Sequence, residues 1–474
     1  MELNTNSNTN TNFNNMIDER LRGYQKLIDH SCFEFKIYQA KGIEWCIRRE
    51  LTATPFAGVR GGIIADEMGL GKTMMMIGTM FCNYLPHTLI VLPPILLPQW
   101  QKEIYKISGH KALCFYGANK GKVTLEQLTK APIILTSYNT LLNKECLLVK
   151  IQWDRVIFDE AHHMRNSKTQ RFASCRQIDA KIRWMVTGTP IQNKRQDFFS
   201  LCDLLGLNSA FYKNKENMDR IRAYFVLRRT KQQVGIELPE MRQTKVMVEW
   251  SNLKEKMLAE ELHSLLPNQT GVSYEKRKQL AAYLEPKGIL TAMLRARQSC
   301  ILPSMMKGKM FNGGGGYDTA LNCCSKLDAV LLLLIDRRDN GRGKIVFCHF
   351  KDEMDLIKLR LTEAGYKKVV CCDGRTPKSV KKTIADEADA LIIQIQTGCE
   401  GLNLQQHFSE VYFVSPHWNP AVEAQAVARC HRIGQKSEVD VFKFEMNGFD
   451  DESITLEKYV SCVQENKKGN YVPL

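Results

Sequence analysis

The 474-residue sequence predicts an α/β fold of two parallel-sheet lobes with a helical region between them. Short apolar runs that end in polar or glycine residues alternate with helical stretches, first along residues 62–187 and again along residues 344–442. This alternation is typical of parallel sheets whose functional sites lie at the ends of the strands. Between the two series the composition becomes helical and charged, which indicates a helical insertion.

The strands are predicted in order along each lobe. They are Gly62–Ala65, Thr88–Leu92, Ile133–Thr136, Arg155–Phe158 and Trp184–Thr187 in the first lobe, and Lys344–Cys348, Lys368–Cys372, Ala390–Gln394, Val411–Val414 and Val439–Phe442 in the second. The predicted domains are a disordered Asn- and Thr-rich lead-in (1–30), the first lobe (31–191), the helical region and interlobe linker (192–342), the second lobe (343–446) and a helical tail (447–474).

The charge and cysteine content restrict the function classes. A net charge of +15, from 66 Lys+Arg against 51 Asp+Glu, suits a phosphate backbone, although a basic protein that binds no nucleic acid is the alternative. Sixteen cysteines are scattered without a Cys-x-x-Cys spacing, which favours a reduced intracellular protein with no structural zinc. The apolar run at residues 329–335 is too short to span a bilayer, so we expect no membrane partner.

A glycine-rich turn follows the first predicted strand. The segment Ile63-Ile-Ala-Asp-Glu-Met-Gly69-Leu-Gly71-Lys72-Thr73 ends in Gly-Lys-Thr, a pattern in which backbone N–H groups cradle phosphates. Lys72 would reach the outer phosphates, and the hydroxyl of Thr73 would hold magnesium. Asp66 departs from the generic pattern, which has its first glycine there.

A pair of carboxylates follows another predicted strand. The strand Arg155–Phe158 ends in Asp159-Glu160-Ala-His162. Adjacent strand residues point to opposite faces, so both carboxylates reach one site only if the chain turns there. Asp159 would hold magnesium and Glu160 would activate the attacking water, whereas a solvated loop pair is the structural alternative.

Two arginines three residues apart stand near the C-terminal end, in Gln425-Ala-Val-Ala-Arg429-Cys-His-Arg432-Ile-Gly-Gln435. That spacing places both on one face of any helix that carries them. Beside a triphosphate site they are candidate arginine fingers, and the alternative is a helix-face pair bound to acidic neighbours.

Together these segments resemble the Swi/Snf family of superfamily-two helicase-like ATPases, from about Phe35 to the C-terminal region. The further segments that carry the resemblance are Phe35-Lys-Ile-Tyr38-Gln39-Ala-Lys-Gly42-Ile-Glu-Trp45, Leu92-Pro-Pro-Ile-Leu-Leu-Pro-Gln-Trp100, Leu135-Thr-Ser-Tyr138, Thr187-Gly-Thr-Pro-Ile-Gln-Asn193, Leu227-Arg-Arg-Thr-Lys231, Met293-Leu-Arg-Ala-Arg297-Gln-Ser-Cys300, Gly398-Cys-Glu-Gly-Leu-Asn-Leu404 and Trp418-Asn-Pro420. The resemblance implies RecA-like lobes with a Swi/Snf-type insertion.

The resemblance also assigns residues to the site. Gln39 would read the adenine edge, and the family's phosphate loop includes Asp66. The remaining nucleotide-binding candidates are Gly69, Gly71, Lys72, Thr73, Gly401 and Gln425. The candidates for nucleic-acid contact are Pro94, Ser137, Thr397, Gly398 and Trp418. For Trp418, packing in the core is an equally weighted alternative.

Within the family, the segments 159–166 and 228–231 are similar to the branch linked with post-replication repair and transcription termination. Members of that branch often carry a RING zinc module between the lobes. Beyond Cys202, the interval holds only Cys300, Cys323 and Cys324, too few for two zinc sites.

The resemblance implies a monomeric, ATP- and magnesium-dependent motor that moves on duplex DNA and displaces bound proteins. A strand-separating DNA or RNA helicase and an inactive DNA-binding scaffold are the alternatives. Its expected location is the nucleus or another site of DNA transactions, and the Asn-rich start would suit a large DNA virus.

Overall fold

The computed structural model describes residues 3–143, 145–188, 195–266, 288–307, 318–376, 388–398, 402–450 and 453–469. The chain divides into two compact units, residues 1–237 and residues 238–473, which we call the first and second lobes. Each lobe is built on its own parallel sheet.

Within the described ranges, the sheet of the first lobe has seven strands in the order β3-β4-β2-β5-β6-β1-β7, and all its pairings are parallel. The strands are β1 (Gly61–Ile64), β2 (Thr88–Leu92), β3 (Leu113–Phe115), β4 (Ile133–Ser137), β5 (Trp153–Asp159), β6 (Ala180–Val186) and β7 (Val226–Leu227). The short strands β3 and β7 were not predicted.

The helices of the first lobe cover both faces of this sheet, where two apolar clusters form its core. They are α1 (Leu3–Asp29), α2 (Ile37–Leu51), α3 (Lys72–Cys82), α4 (Leu97–Ser108), α5 (Leu125–Lys130), α6 (Gln170–Arg176), α7 (Arg195–Leu205), α8 (Ser209–Lys213) and α9 (Met218–Phe225).

The expected disorder of residues 1–30 is wrong, because α1 occupies most of this segment. Ile17, Tyr24 and Ile28 are buried at helical spacing in the same apolar cluster as residues of α2 and α3. Arg20 also donates to the carbonyl of Cys82 at 2.7 Å. The polar Asn and Thr composition hid this apolar stripe.

The sheet of the second lobe has six parallel strands in the described residues, in the order β10-β11-β9-β12-β13-β8. The strands are β8 (Met241–Val248), β9 (Gly343–Cys348), β10 (Val369–Cys372), β11 (Ala390–Gln394), β12 (Phe408–Phe413) and β13 (Val439–Met446), and the helices are α10 (Leu253–His263), α11 (Gly288–Ile301), α12 (Asp318–Leu321), α13 (Ser325–Asp336), α14 (Lys351–Glu363), α15 (Ile395–Gly398), α16 (Pro420–Val427) and α17 (Leu456–Gly469).

The division between Glu237 and Leu238 falls inside the segment 192–342, which was expected to form one helical region. That segment is instead shared, with α7–α9 in the first lobe and α10–α13 in the second. It also contains β8, an edge strand whose residues are mostly exposed. The exposure explains its polar sequence, which concealed a strand.

The predicted fold class is confirmed, since both lobes are α/β and both sheets are parallel. In the described part of the chain, no helix combines the length and apolarity needed to cross a membrane.

Candidate functional site

Three predicted motifs begin at the same level of the first-lobe sheet. Ile64 at the end of β1 and Asp159 at the end of β5 both pair in register with Val186, at the end of β6. The phosphate loop, the Glu160 turn and Thr187 therefore start side by side at the carboxyl edge. This is the edge at which open α/β sheets bind their ligands.

The phosphate loop joins β1 to the 11-residue helix α3. Gly69 and Gly71 have φ values of 92° and 77°, a left-handed backbone that favours glycine. Lys72 begins α3, and its Nζ donates to the carbonyl of Asp66 at 2.9 Å and to that of Glu67 at 3.4 Å. A glycine turn that leads into a helix N-terminus presents backbone N–H groups to an anion.

Gln39, the predicted adenine reader, lies on α2 against this loop. Its Nε2 donates to the carbonyl of Leu70 at 3.2 Å, and the residue is 5% exposed. A Cβ at Gly71 would lie 2.3 Å from Nε2, so a larger residue there would displace the Gln39 side chain from the loop. The structure brings Gln39 to the phosphate loop, and adenine recognition stays a prediction.

Asp66 forms an ion pair beside the loop, and its part in nucleotide binding stays a prediction. Its buried carboxylate accepts hydrogen bonds from the backbone N of Arg229 at 2.9 Å and from Nη2 at 2.5 Å. The guanidinium continues to the carbonyl of Tyr38 at 2.5 Å. A Cβ at Gly42 would approach Nη2 to 2.8 Å. Asp66 thus anchors the loop through Arg229, which accounts for an aspartate in place of the generic glycine.

A second ion pair links the same two segments. Lys231 Nζ lies 2.9 Å from Glu67 Oε1, and the Lys231 backbone N donates to Oε2 at 2.8 Å. Partial burial opposes ionisation of Glu67, but the hydrogen bonds and charge of Lys231 hold its pKa below the ordinary value. Residues 229–231 therefore strap residues 66–67.

The Asp159–Glu160 pair has the turn that both carboxylates need. Glu160 adopts φ 51° and ψ 48°, a left-handed conformation that is strained for a residue other than glycine. The Oδ1 of Asp159 accepts the Glu160 N–H at 3.0 Å. Burial, followed by the negative charge of Glu160, raises the pKa of Asp159 to about 7.

The turn brings His162 between two predicted motifs. Its Nδ1 lies 3.2 Å from Glu160 Oε2 and 3.5 Å from the hydroxyl of Thr187, the first residue of the segment that follows β6. The imidazole thus connects the carboxylate that would activate water with the neighbouring strand end. Residues 189–193 of that segment lie outside the described residues.

The residues at this edge fit a magnesium ion. A buried carboxylate whose ionisation is opposed by a second carboxylate is stabilised by a dication, and hydroxyl and carboxylate oxygens are hard ligands. Thr73 and Asp159 would hold the ion, with water and phosphate oxygens completing its shell. Across the residues described, no cluster of three or more His, Cys, Asp or Glu is arranged to hold a metal by protein ligands alone.

The two first-lobe candidates for nucleic-acid contact, Pro94 and Ser137, differ in exposure. Pro94 is half-buried in the turn between β2 and α4. The prediction for Ser137 is not supported, because its side chain is fully buried and its hydroxyl lies 2.9 Å from that of Thr140. It shapes the turn after β4. In the second lobe, Thr397 and Gly398 end α15, and their side chains are outside the described set.

Arg429 and Arg432 are not on a helix, contrary to the expectation of a shared helix face. Helix α16 ends at Val427, and both arginines lie in the turn that follows. Arg432 Nη1 donates to Asn403 Oδ1. The Nε of Arg429 is buried without a hydrogen-bond acceptor among the described residues. Ala428 caps the end of α16, and the turn that follows it is held by contacts of residues 430–435.

Those contacts come from neighbouring residues of the same segment. The Sγ of Cys430 donates to the carbonyl of Phe408 at 2.8 Å, and Nε2 of Gln435 donates to the same carbonyl at 2.9 Å. His431 Nε2 lies 2.8 Å from the carbonyl of Pro239. The segment His-Arg-Ile-Gly-Gln therefore holds the arginine turn against β12 and the start of the second lobe.

The remaining second-lobe candidates lie on or next to helix α16, or outside the described residues. Gln425 is half-buried on α16, and Gly401 is outside the described residues. Asn419 caps α16 by accepting the Ala421 N–H at 3.0 Å, with Pro420 at the first helical position. Trp418 packs on an apolar cluster and meets Tyr459 edge-on at 6.4 Å, which favours the core alternative.

Arg297 is a further residue whose role the sequence did not reveal. Its Nη2 contacts His349 Nε2 at 2.7 Å and Ser415 Oγ at 3.1 Å, beyond the ends of β9 and β12. It therefore ties α11 to the carboxyl edge of the second sheet. A guanidinium near strand ends gives no sequence signal by itself, because its partners lie 52 and 118 residues away.

Comparison with known proteins supports the resemblance. The chain is 29% identical over 458 residues to an uncharacterized ATP-dependent helicase of Mycoplasma pneumoniae, a match that covers 91% of this chain and 41% of that protein. It is 28% identical over 465 residues to a probable global transactivator of Orgyia pseudotsugata multicapsid polyhedrosis virus, covering 91% and 89%. A solved Sulfolobus solfataricus SWI2/SNF2 ATPase core in complex with dsDNA is similar at 24% identity and a TM-score of 0.42, over 93% of this chain and 92% of that chain.

The chain spans less than half the length of the Mycoplasma pneumoniae relative. Its residues 38–305 match the SNF2-related domain, and residues 325–434 match the helicase conserved C-terminal domain. The first of these matches alone covers more than half of the 474 residues. The predicted resemblance is confirmed, and the chain belongs to the SNF2-related family.

Proposed function

We propose that this chain is a Swi/Snf-type motor that hydrolyses ATP to ADP and phosphate when bound to duplex DNA and moves along it or displaces bound proteins. The observation that carries the proposal is the register of the first-lobe sheet. Because of this register, the phosphate loop, the Glu160 turn and Thr187 begin at the same level of the sheet. Family membership supports an ATP-dependent enzyme over an unrelated phosphate-binding protein.

In the first lobe, the loop N–H groups and Lys72 bind the phosphates. Magnesium, when bound by Thr73 and Asp159, neutralises phosphate charge. Glu160, which has a left-handed backbone conformation and lies beside His162, orients and deprotonates the attacking water. Because Asp66 and Glu67 are fixed by Arg229 and Lys231, the loop is organised before nucleotide binds.

In the second lobe, Arg429 and Arg432 supply positive charge for the transition state. Their turn is fixed by backbone-carbonyl contacts from Cys430 and Gln435. The guanidinium groups are therefore carried by a defined turn, as an arginine finger requires.

Duplex DNA is the proposed substrate because relatives at 25% identity include a human protein named as a regulator of chromatin. The net charge of +15 suits binding through phosphates, which makes affinity fall with added salt. We propose that the chain acts as a monomer, in the nucleus or at another site of DNA transactions. The proteins that it displaces are bound to chromatin or to DNA.

The test is the ATPase rate of the purified chain against duplex DNA, single-stranded DNA and RNA. We expect duplex DNA to stimulate hydrolysis most. Glu160→Gln should lower the stimulated rate by about 10²–10⁴-fold, as expected for loss of a general base. Stimulation by RNA alone would contradict the duplex-DNA proposal, and a rate unchanged in Glu160→Gln would identify an inactive scaffold with contaminating activity.

A further inference from the structure

Two buried aromatic side chains of the first lobe donate hydrogen bonds to one residue, Asp159. Trp100 Nε1 donates to Asp159 Oδ2 at 2.7 Å, and the hydroxyl of Tyr138 donates to the Asp159 carbonyl oxygen at 2.6 Å. Trp100 is 1% exposed and Tyr138 is 3% exposed. One bond orients the carboxylate, and the other orients the backbone that carries it.

Both donors come from segments that follow strands of the first-lobe sheet. Trp100 is in the first turn of α4, directly after the turn at residues 93–96 that contains Pro94. Tyr138 immediately follows β4, and in the sheet order β4-β2-β5 the strand β2 lies beside β5 while β4 lies one strand further away. The two segments thus reach the end of β5 from β2 and β4 through rigid side chains.

The hydrogen-bond capacity of the carboxylate leaves room for a cation. An ionised carboxylate offers about four acceptor sites. Trp100 occupies one on Oδ2, and the Glu160 N–H occupies one on Oδ1. Sites remain on both oxygens, while the two bonds fix the plane of the group. Such outer contacts orient ligands of a metal and tune their affinity.

We propose that Trp100 and Tyr138 are positioning residues that fix the carboxylate and the backbone of Asp159, and so set magnesium-nucleotide affinity and the hydrolysis rate. This inference rests on the proposed function. The buried indole has little freedom to move, so its hydrogen bond holds the Asp159 carboxylate in one orientation.

Other buried donors in the chain provide matched controls. Trp153 is fully buried and its Nε1 donates to the carbonyl of Leu148 at 3.0 Å, away from the site. Tyr366 in the second lobe donates to the carbonyl of Leu334 at 2.5 Å. Replacing each by Phe removes a buried donor without touching Asp159.

The experiment compares Trp100→Phe with Trp153→Phe, and Tyr138→Phe with Tyr366→Phe. For each variant, binding of a fluorescent ATP analogue is titrated with magnesium, and again in EDTA. ATPase is then measured with and without duplex DNA, alongside DNA affinity and thermal stability.

For Trp100→Phe we expect the half-saturating magnesium concentration to rise by about tenfold or more, since loss of an outer-shell partner costs about 10–100-fold in metal affinity. Nucleotide affinity in EDTA and DNA affinity should remain within about twofold of wild type, and the ATPase rate at limiting magnesium should fall both with and without DNA. Tyr138→Phe should act in the same direction with a smaller change, because it loses only a neutral hydrogen bond.

Equal magnesium dependence in Trp100→Phe and Trp153→Phe would overturn the inference, since both variants lose a buried indole donor. The binding titration needs no hydrolysis. If wild type hydrolysed ATP at a rate that no nucleic acid changed, the proposed function would fail, while the magnesium titration would still decide the role of Trp100.

Discussion

The two lobes carry similar parallel sheets but hold their charged residues in different ways. In the first lobe, charged side chains at the carboxyl edge are paired with each other, as Asp66 is with Arg229 and Glu67 with Lys231. In the second lobe, the arginine turn is held mainly through backbone carbonyls, by Cys430 and Gln435. The first arrangement fixes the predicted phosphate loop, and the second fixes the turn that carries Arg429 and Arg432.

Both lobes fully bury an ion pair, Arg155–Glu50 in the first and Lys326–Glu457 in the second, but the second lobe also has a partly exposed network around a buried carboxylate. The first lobe fully buries the Arg155–Glu50 pair, in which Nε donates to Oε1 at 2.6 Å. The second lobe surrounds buried Glu410 with Arg337 and Arg342, whose side chains are 28% and 24% exposed. The water-accessible network tolerates the loss of one member better, because water and Asp440 can replace it.

The largest expected effect separates binding from hydrolysis. Lys72→Ala should abolish measurable nucleotide binding and hydrolysis together. Arg432→Ala should leave binding within about twofold of wild type and lower the DNA-stimulated rate by on the order of 10³-fold or more, as for an arginine finger. Measuring both variants by analogue binding and ATPase checks this, with Arg338→Ala, which removes an exposed pair to Asp339, as control. Loss of binding in Arg432→Ala would show that the second-lobe arginine also seats the ground state.

The next effect concerns stability. Glu50→Ala leaves the Arg155 guanidinium buried without its carboxylate and should destabilise the first lobe by about 3–5 kcal/mol. Glu410→Ala should cost the second lobe less, about 1–3 kcal/mol, because Arg337 and Arg342 retain Asp440. Amide hydrogen exchange resolved by peptide would report each lobe separately. Equal losses would mean that partial exposure does not relieve the second network.

A smaller effect is expected at the strap of the phosphate loop. Arg229→Lys keeps the charge but loses the several N–H donors that reach Asp66 and Tyr38, so nucleotide affinity should fall by about tenfold. The adjacent exposed Arg228→Lys is the matched control. Isothermal titration with ATP would measure the difference, and equal affinities in the two variants would mean that the strap does not shape the loop.

The smallest effect is a pH dependence of the second lobe. Burial lowers the pKa of His263 to about 4, below its unfolded value of about 6.5. Because its folded-state pKa is depressed, His263 binds fewer protons in the folded state than in the unfolded state. The stability that neutral His263 contributes to the second lobe is therefore fully present above pH 6.5 and is lost as the pH falls toward 4. The slope is at most about 1.4 kcal/mol per pH unit in that window.

Burial also lowers the pKa of His349 well below its ordinary value, which adds to the same slope in the same lobe. Denaturant unfolding at pH 7 and pH 5.5, followed lobe by lobe through hydrogen exchange, should show second-lobe stability falling on acidification. His263→Gln should flatten part of that slope. An unchanged slope in the variant would assign the acid sensitivity to other groups.

The sequence predicted the strands of both sheets well where they are central and apolar, as at Thr88–Leu92 and Ala390–Gln394. It missed β8, because an exposed edge strand has no apolar alternation to detect. It also missed α1 as an ordered helix, because a few buried residues outweighed a polar composition. A pattern of apolar and polar residues predicts a strand or helix only where buried and exposed positions repeat regularly along the segment.

The sequence by itself determined the family, the fold class and the identity of the motif residues, because these depend on residue types at short spacing. Only the tertiary structure decided what those residues touch. Asp66 accepts a hydrogen bond from Arg229, 163 positions away in the sequence, and Asp159 accepts one from Trp100, 59 positions away. Arg429 and Arg432 lie in a turn after helix α16 and not on the helix. Hydrogen bonds between residues so far apart depend on strand order and register, and no local pattern of side chains encodes either of them.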